Sequence, residues 1–125
     1  MRNDNTEKIY GYKVMLKYKN GTYATPNRLT HVKILNEEIE FDYDICLLKE
    51  LKIAKDDLKW KKDLITPNVS SPESGYYGLS PENIIILKAI VPKWYKYESG
   101  TRYGKDACYF TKSVIFVEEI KDTVI

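Results

Sequence analysis

From Tyr10 to Tyr18 every second residue is apolar, and this alternation constrains the fold more than any other feature of the sequence. A period of two predicts a strand that buries one face. Asn20-Gly21 follows directly, and this dipeptide readily adopts the positive φ angles that a tight hairpin turn requires. The next short strand, over residues 22–25, ends at Pro26. The sequence therefore predicts an antiparallel hairpin over residues 10–25.

Further strands are indicated downstream. A second hairpin is expected between residues 31–35 and 39–45, across Asn36-Glu37. Residues 84–91 are almost all aliphatic, which is typical of a central strand buried on both faces. Residues 94–97 are expected to pair with a stretch near Tyr109, and residues 114–117 to form a final buried strand.

One segment changes to helical spacing. Its apolar residues recur every three or four positions between residues 46 and 64, with lysines on the opposite side. Residues 66–81 contain three prolines and two glycines without any period, so they predict a long loop. We expect one α+β domain over residues 1–125, with residues 1–8 disordered. Its mainly antiparallel, curved sheet of about six to seven strands packs on one main helix.

Composition narrows the class of protein. Hydrophobic residues make up 43% of the 125 residues, too many for a disordered chain, and no apolar run reaches the length of a membrane span. The net charge of +2 comes from the predicted helix, which disfavours a general nucleic-acid binder. Cys46 and Cys108 lack a CxxC spacing, so we expect two buried thiols in a cytoplasmic protein and no disulfide.

The sharpest local feature is a row of carboxylates. Glu38, Glu40, Asp42 and Asp44 are two residues apart, with apolar residues between them, so a strand would point all four the same way. Such a row can bind a basic partner or mimic the charges of a nucleic-acid backbone. It can equally be a solvated face whose charges discourage aggregation. Its spacing suits neither an EF-hand nor a glycosidase pair, and no metal site is expected.

A second candidate site combines aromatic and basic residues around two glycines. It comprises Lys93, Trp94, Tyr95, Lys96, Tyr97, Arg102, Tyr103 and Lys105. Aromatic rings with nearby cations can stack on bases or nucleotides, and tyrosine and tryptophan are also common at protein-binding hot spots. Cross-strand packing within a hairpin explains the same pattern.

Two weaker candidates remain. Tyr76 and Tyr77 lie between glycines in the predicted loop, which suits an adaptable contact surface as well as a plain connector. His31 is the only histidine, and Arg28 lies three residues before it. A small enzyme acting on nucleotides would need these residues or a carboxylate brought together by folding. No Walker, GxGxxG, HExxH or GxSxG motif occurs, and no cofactor is expected.

The C-terminal third, with ILKAIVPKWYKY followed by CYFTKSVIFVEEI, resembles the ends of small uncharacterised proteins from phages and prophages of low-GC bacteria. The resemblance covers about 40 residues and implies no catalytic residue. It favours a phage or mobile-element accessory protein that inhibits a host defence protein by direct binding. A nucleotide or nucleic-acid binding module and a small enzyme remain the alternatives. The oligomeric state stays open, with a symmetric homodimer as one expectation.

Overall fold

The computed structural model describes residues 9–26, 31–32, 35–74, 77–78, 83–94 and 107–120. Within these ranges the chain forms six strands and one helix. In chain order they are β1 (Ile9–Lys17), β2 (Tyr23–Ala24), β3 (His31–Val32), β4 (Glu38–Leu48), α1 (Leu51–Asn68), β5 (Asn83–Val91) and β6 (Cys108–Ile120). The predicted α+β class with an antiparallel sheet is confirmed. Residues 1–8, predicted to be disordered, lie outside the described ranges.

The sheet closes on itself. Its strand order is β3-β2-β1-β4-β6-β5, and β1 also pairs with β5 along nine residues, so β1, β5, β6 and β4 form a ring. The β1–β4 contact is the narrow part of this ring, with the single pair Tyr12 and Leu48. Gly11 lies at this crossing, where an added Cβ would stand 2.9 Å from the Cβ of Leu47. A glycine therefore permits the close approach of β1 and β4.

The ring separates two groups of buried side chains. The inner face, enclosed by the four long strands, is centred on Met15, Leu47 and Phe116, which are fully buried. The outer face carries Val14, Leu16, Ile84 and Ile86, and α1 covers these residues with Ala54, Leu58 and Ile65. The two faces follow from the alternation of side chains along each strand.

The first predicted hairpin is confirmed, since Lys17 pairs with Tyr23 and Leu16 with Ala24. Gly21 takes the positive φ of 86° that its turn requires. The second predicted hairpin is wrong: β3 pairs with β2, whereas β4 pairs with β6 and β1. Alternation specifies which face of a strand is buried, but it does not specify the neighbouring strand.

Element boundaries also shift. Residues 46–48, predicted as the start of the helix, belong to β4, and α1 continues through residues 66–68, which were predicted as loop. Pro67 lies in the last turn of α1, where it lacks the N–H that would donate to the preceding turn, and α1 ends one residue later. The central strand is confirmed as β5, which is flanked by β1 and β6. The final strand, β6, is longer than predicted and includes Tyr109.

Candidate functional site

The four predicted carboxylates, here called the acidic row, lie on the outer face of β4. Glu38, Glu40 and Asp42 are exposed, and Asp44 is partly buried. The intervening residues Ile39, Phe41 and Tyr43 belong to the inner cluster, so the strict alternation is preserved along β4. The fold therefore directs the acidic row away from the interior.

A bulge divides the acidic row. Glu40 pairs with Ser113 and Ile45 pairs with Thr111, so residues 41–44 lie opposite residue 112 alone. Glu38 and Glu40 remain on the regular ladder, and the Glu38 carboxylate accepts a hydrogen bond from the Ser113 hydroxyl. Asp42 lies in the bulge, where the strand bends and the spacing of a straight strand no longer applies.

A second row crosses the sheet at right angles to the first. Register places Tyr10 beside Ile90, Ile90 beside Ile115, and Ile115 beside Glu38. Tyr10 is 53% exposed, and both isoleucines are partly exposed. Neither isoleucine belongs to the inner cluster or to the cluster under α1. This cross-strand row (Tyr10, Ile90, Ile115, Glu38) meets the acidic row at Glu38, and we call the two rows together the open face.

Charge is distributed unequally around the open face. The Lys88 ammonium lies 4.4 Å from the centre of the Tyr10 ring, a cation–π contact, and Lys88 pairs in register with Glu118. At the other end of the cross-strand row stand the acidic side chains of β4. The open face therefore runs from an aromatic end, where Lys88 stands between Tyr10 and Glu118, across two isoleucines, to an acidic end.

The aromatic–basic candidate is described only at Lys93 and Trp94, and its other members, Tyr95, Lys96, Tyr97, Arg102, Tyr103 and Lys105, lie outside the described residues. Trp94 is half-buried and packs edge-on against Tyr109, with ring centres 4.5 Å apart. It also contacts the inner cluster. The described part of this candidate therefore packs within the fold.

The predicted loop site is described in part. Tyr77 is 57% exposed, and Gly78 after it has a φ of 81° and donates its backbone N–H to the carbonyl of Val69. Tyr76 lies outside the described residues, as do Arg28 and the side chain of His31. The loop therefore presents one exposed tyrosine next to the end of α1.

Cys46 and Cys108 form a disulfide, so the expectation of two buried thiols is wrong. Leu48 pairs with Cys108 and Cys46 with Phe110, which places the two cysteines diagonally on the same outer face of adjacent strands. Their Cα atoms are 6.0 Å apart, a separation that a disulfide spans. Their separation of 62 positions hid this proximity in the sequence.

A polar cluster lies where β1 meets β4, the narrow part of the ring, which we call the seam. Lys61 of α1 contacts the buried carboxylate of Asp57 at 2.8 Å, and the Lys13 ammonium approaches the Cys46 carbonyl oxygen at 3.5 Å. Burial, followed by the nearby charge of Lys61, lowers the pKa of Lys13 to about 8, although the carboxylate of Asp57 acts in the opposite direction. The seam therefore holds an amine that loses its proton more easily than an exposed lysine.

Another polar contact joins β2 to the end of β6. The Tyr23 hydroxyl donates to Glu119 at 2.6 Å, and Lys17 lies 3.0 Å from the same carboxylate. Burial, together with the hydrogen bond to Glu119 and the charge of that carboxylate, raises the pKa of Tyr23 to about 12. Glu119 thus holds the first hairpin against β6.

Sequence reasoning found the acidic row but missed the cross-strand row. Its members Tyr10, Ile90 and Ile115 come from three strands, and each looks like an ordinary strand residue. Only the pairing register brings them together. The aliphatic run of β5 signalled burial on both faces, which concealed the partial exposure of Ile90.

No family model, curated protein or solved structure matches this chain. Within the described ranges, no group of three or more His, Cys, Asp or Glu side chains is placed to hold a metal ion. The one helix of those ranges is too polar to cross a membrane.

Proposed function

We propose that this chain is a non-catalytic binding protein whose open face docks on another protein. The observation that carries the proposal is the cross-strand row, in which Tyr10, Ile90 and Ile115 stand side by side and partly exposed on a strongly paired sheet. A rigid apolar centre bordered by charged residues has the composition of a protein-binding surface.

The chemistry of the open face selects the partner. Glu38, Glu40 and Asp42 border the isoleucines on the β4 side, so the partner presents lysine or arginine there and an apolar group opposite the isoleucines. Tyr10 is the natural anchor, because a large exposed aromatic ring buries much area at little cost in conformational entropy. The acidic row alone would attract any cation, and the adjoining apolar centre gives the surface its selectivity.

The resemblance of the C-terminal third to phage and prophage proteins supports a partner in the bacterial host. On this proposal the chain is an accessory protein of a phage or mobile element that inhibits a host defence protein by occupying its basic surface. A cytoplasmic location belongs to the same proposal. The Cys46–Cys108 disulfide places a condition on this location. The bond must be stable enough to resist cytoplasmic reductants, because these open disulfides that are thermodynamically weak.

Affinity capture with matched variants tests this function. The tagged chain captures proteins from a lysate of a low-GC bacterium, and each captured protein is purified and its affinity for the chain is measured. We expect Tyr10→Ser to weaken binding by about 2 kcal/mol, as for an interface anchor. Tyr77→Ser, which changes an equally exposed tyrosine elsewhere, should leave binding unchanged.

The charges are tested with a second matched pair. Glu38→Gln with Glu40→Gln should slow association, whereas Glu50→Gln with Glu73→Gln, the same change in net charge at other exposed positions, should not. If Tyr77→Ser abolishes binding and Tyr10→Ser does not, the binding site is the loop and the proposal is wrong. Binding that no open-face variant affects would also contradict it.

A further inference from the structure

The outer side of α1 carries two parallel stripes. Lys52, Lys55 and Lys59 are exposed at helical spacing and form a basic stripe. The neighbouring stripe consists of Asp56, Trp60 and Asp63, and Trp60 is 42% exposed. The helix therefore presents an aromatic ring with acidic residues along one line and lysines along the next.

The charged and aromatic residues of α1 complement those of the open face, both in their order and in their spacing. The open face runs from Lys88 and Tyr10 to Glu38 and Glu40, so Lys88 and the Tyr10 ring suit the Asp–Trp stripe, and the acidic end suits the lysines. Along the strand, Glu38 and Glu40 are about 7 Å apart. Along the helix, Lys55 and Lys59 are separated by about 6 Å of rise. Neighbouring cations and neighbouring carboxylates can therefore meet one to one.

The two surfaces also lie close together in the chain. β4 ends at Leu48 and α1 begins at Leu51, so the acidic row and the basic stripe are carried by consecutive elements on the outer side of the molecule. A two-fold axis between two copies can then place each helix on the open face of the other copy. Such an isologous pair forms every favourable contact twice.

We propose that a second copy of this chain occupies the open face, with α1 of each copy lying on the open face of the other. The inference rests on the proposed docking role of that face and names its occupant when the host partner is absent. The host protein and the second copy then compete for the same surface, so dimerisation reduces the fraction of chain that is ready to bind the host protein.

Sedimentation velocity of the purified full chain tests the inference. We expect a species of twice 14.6 kDa that dissociates as salt is raised. Lys55→Glu with Lys59→Glu should weaken the dimer by about tenfold or more, and Glu38→Lys with Glu40→Lys should do the same. An equimolar mixture of these two variants should restore a dimer, because one copy then presents lysines on both surfaces and the other presents acids on both.

Control variants and alternative outcomes make the test decisive. Lys19→Glu reverses a lysine at an exposed position outside α1, as the helix variant does within it, and should dimerise as wild type. Circular dichroism verifies that each variant is folded. A wild-type monomer at all concentrations, or a dimer insensitive to both charge reversals, overturns the inference. If capture of a host protein still depends on Tyr10 in that case, the proposed function stands without the dimer.

Discussion

The outer face of β1 and β5 has two halves that differ in what covers them. In one half Val14, Leu16, Ile84 and Ile86 are buried under α1. In the other half, on the same two strands, Tyr10 and Ile90 are partly or largely exposed. We call these the covered half and the uncovered half.

The difference shows that side chains of the same type lie in two different environments on one strand. Ile86 and Ile90 lie four residues apart on β5 and point the same way, yet Ile86 is 2% exposed and contributes to the core. Apolar groups at the uncovered half bury less area on folding than those under α1, and on the proposed function their remaining exposed area is buried by another chain. The covered half should therefore control stability, and the uncovered half should control binding.

The largest expected effect comes from the disulfide, which adjoins the covered half. Reducing Cys46–Cys108, or replacing both cysteines by serine, should lower the free energy of unfolding by up to about 4 kcal/mol, since the bond closes a long loop in the unfolded chain. Chemical denaturation with and without a dithiol reductant measures this difference. Unchanged stability on complete reduction would show that the bond does not constrain the unfolded state.

The two isoleucines provide a matched comparison. Ile86→Ala should cost about 3 kcal/mol of unfolding free energy, because it leaves a cavity under α1. Ile90→Ala should cost less than about 1 kcal/mol. Urea denaturation of both variants measures the contrast. Equal losses would mean that Ile90 is as much a part of the core as Ile86, and the distinction between the halves would be wrong.

A smaller effect concerns Lys13, at the seam beneath the helix. Its pKa is lowered to about 8 in the folded chain, below its ordinary value of 10.5, so protonated Lys13 weakens the fold at neutral pH. Stability should rise as the pH is raised from 8 towards 10, and Lys13→Met should be more stable at pH 7 by about 1 kcal/mol, after allowing for partial exposure. Ionisation of Tyr23 acts in the opposite direction only above pH 10.

Thermal melting at pH 7 and at pH 9.5 checks this prediction. The advantage of Lys13→Met should shrink at the higher pH, because wild-type Lys13 is then mostly neutral. A variant that is less stable than wild type at both pH values would mean that packing of the lysine side chain outweighs the burial of its charge.

Much of this fold can be predicted from local pattern. Alternation identified β1 and β4 and assigned the inner face of β4, and Asn20-Gly21 located the first turn. The prediction that β1 buries one face was wrong, because Met15 is buried on its inner face and Val14 and Leu16 on its outer face. Pairing between distant strands was not predictable in this way, because nothing near residues 31–35 distinguishes β2 from β4 as a partner. Closure of the ring at Gly11 and the meeting of Cys46 with Cys108 depend on the same long-range register.

The site was predictable to a similar degree. The acidic row follows from a single strand, so its spacing revealed it, although the bulge at residues 41–44 did not show in the sequence. The cross-strand row needs the register of four strands at once. The roles predicted for residues 95–105 stay predictions, since they lie outside the described ranges.

Carboxyl footprinting of the chain, free and bound to a captured host protein, tests the central claim most directly. A carbodiimide and an amine label exposed carboxylates, and mass spectrometry reports the extent at each residue. We expect labelling of Glu38, Glu40 and Asp42 to fall several-fold in the complex, while Glu50 and Glu73 label as in the dilute free chain. Unchanged labelling of the acidic row in a saturated complex would contradict the account.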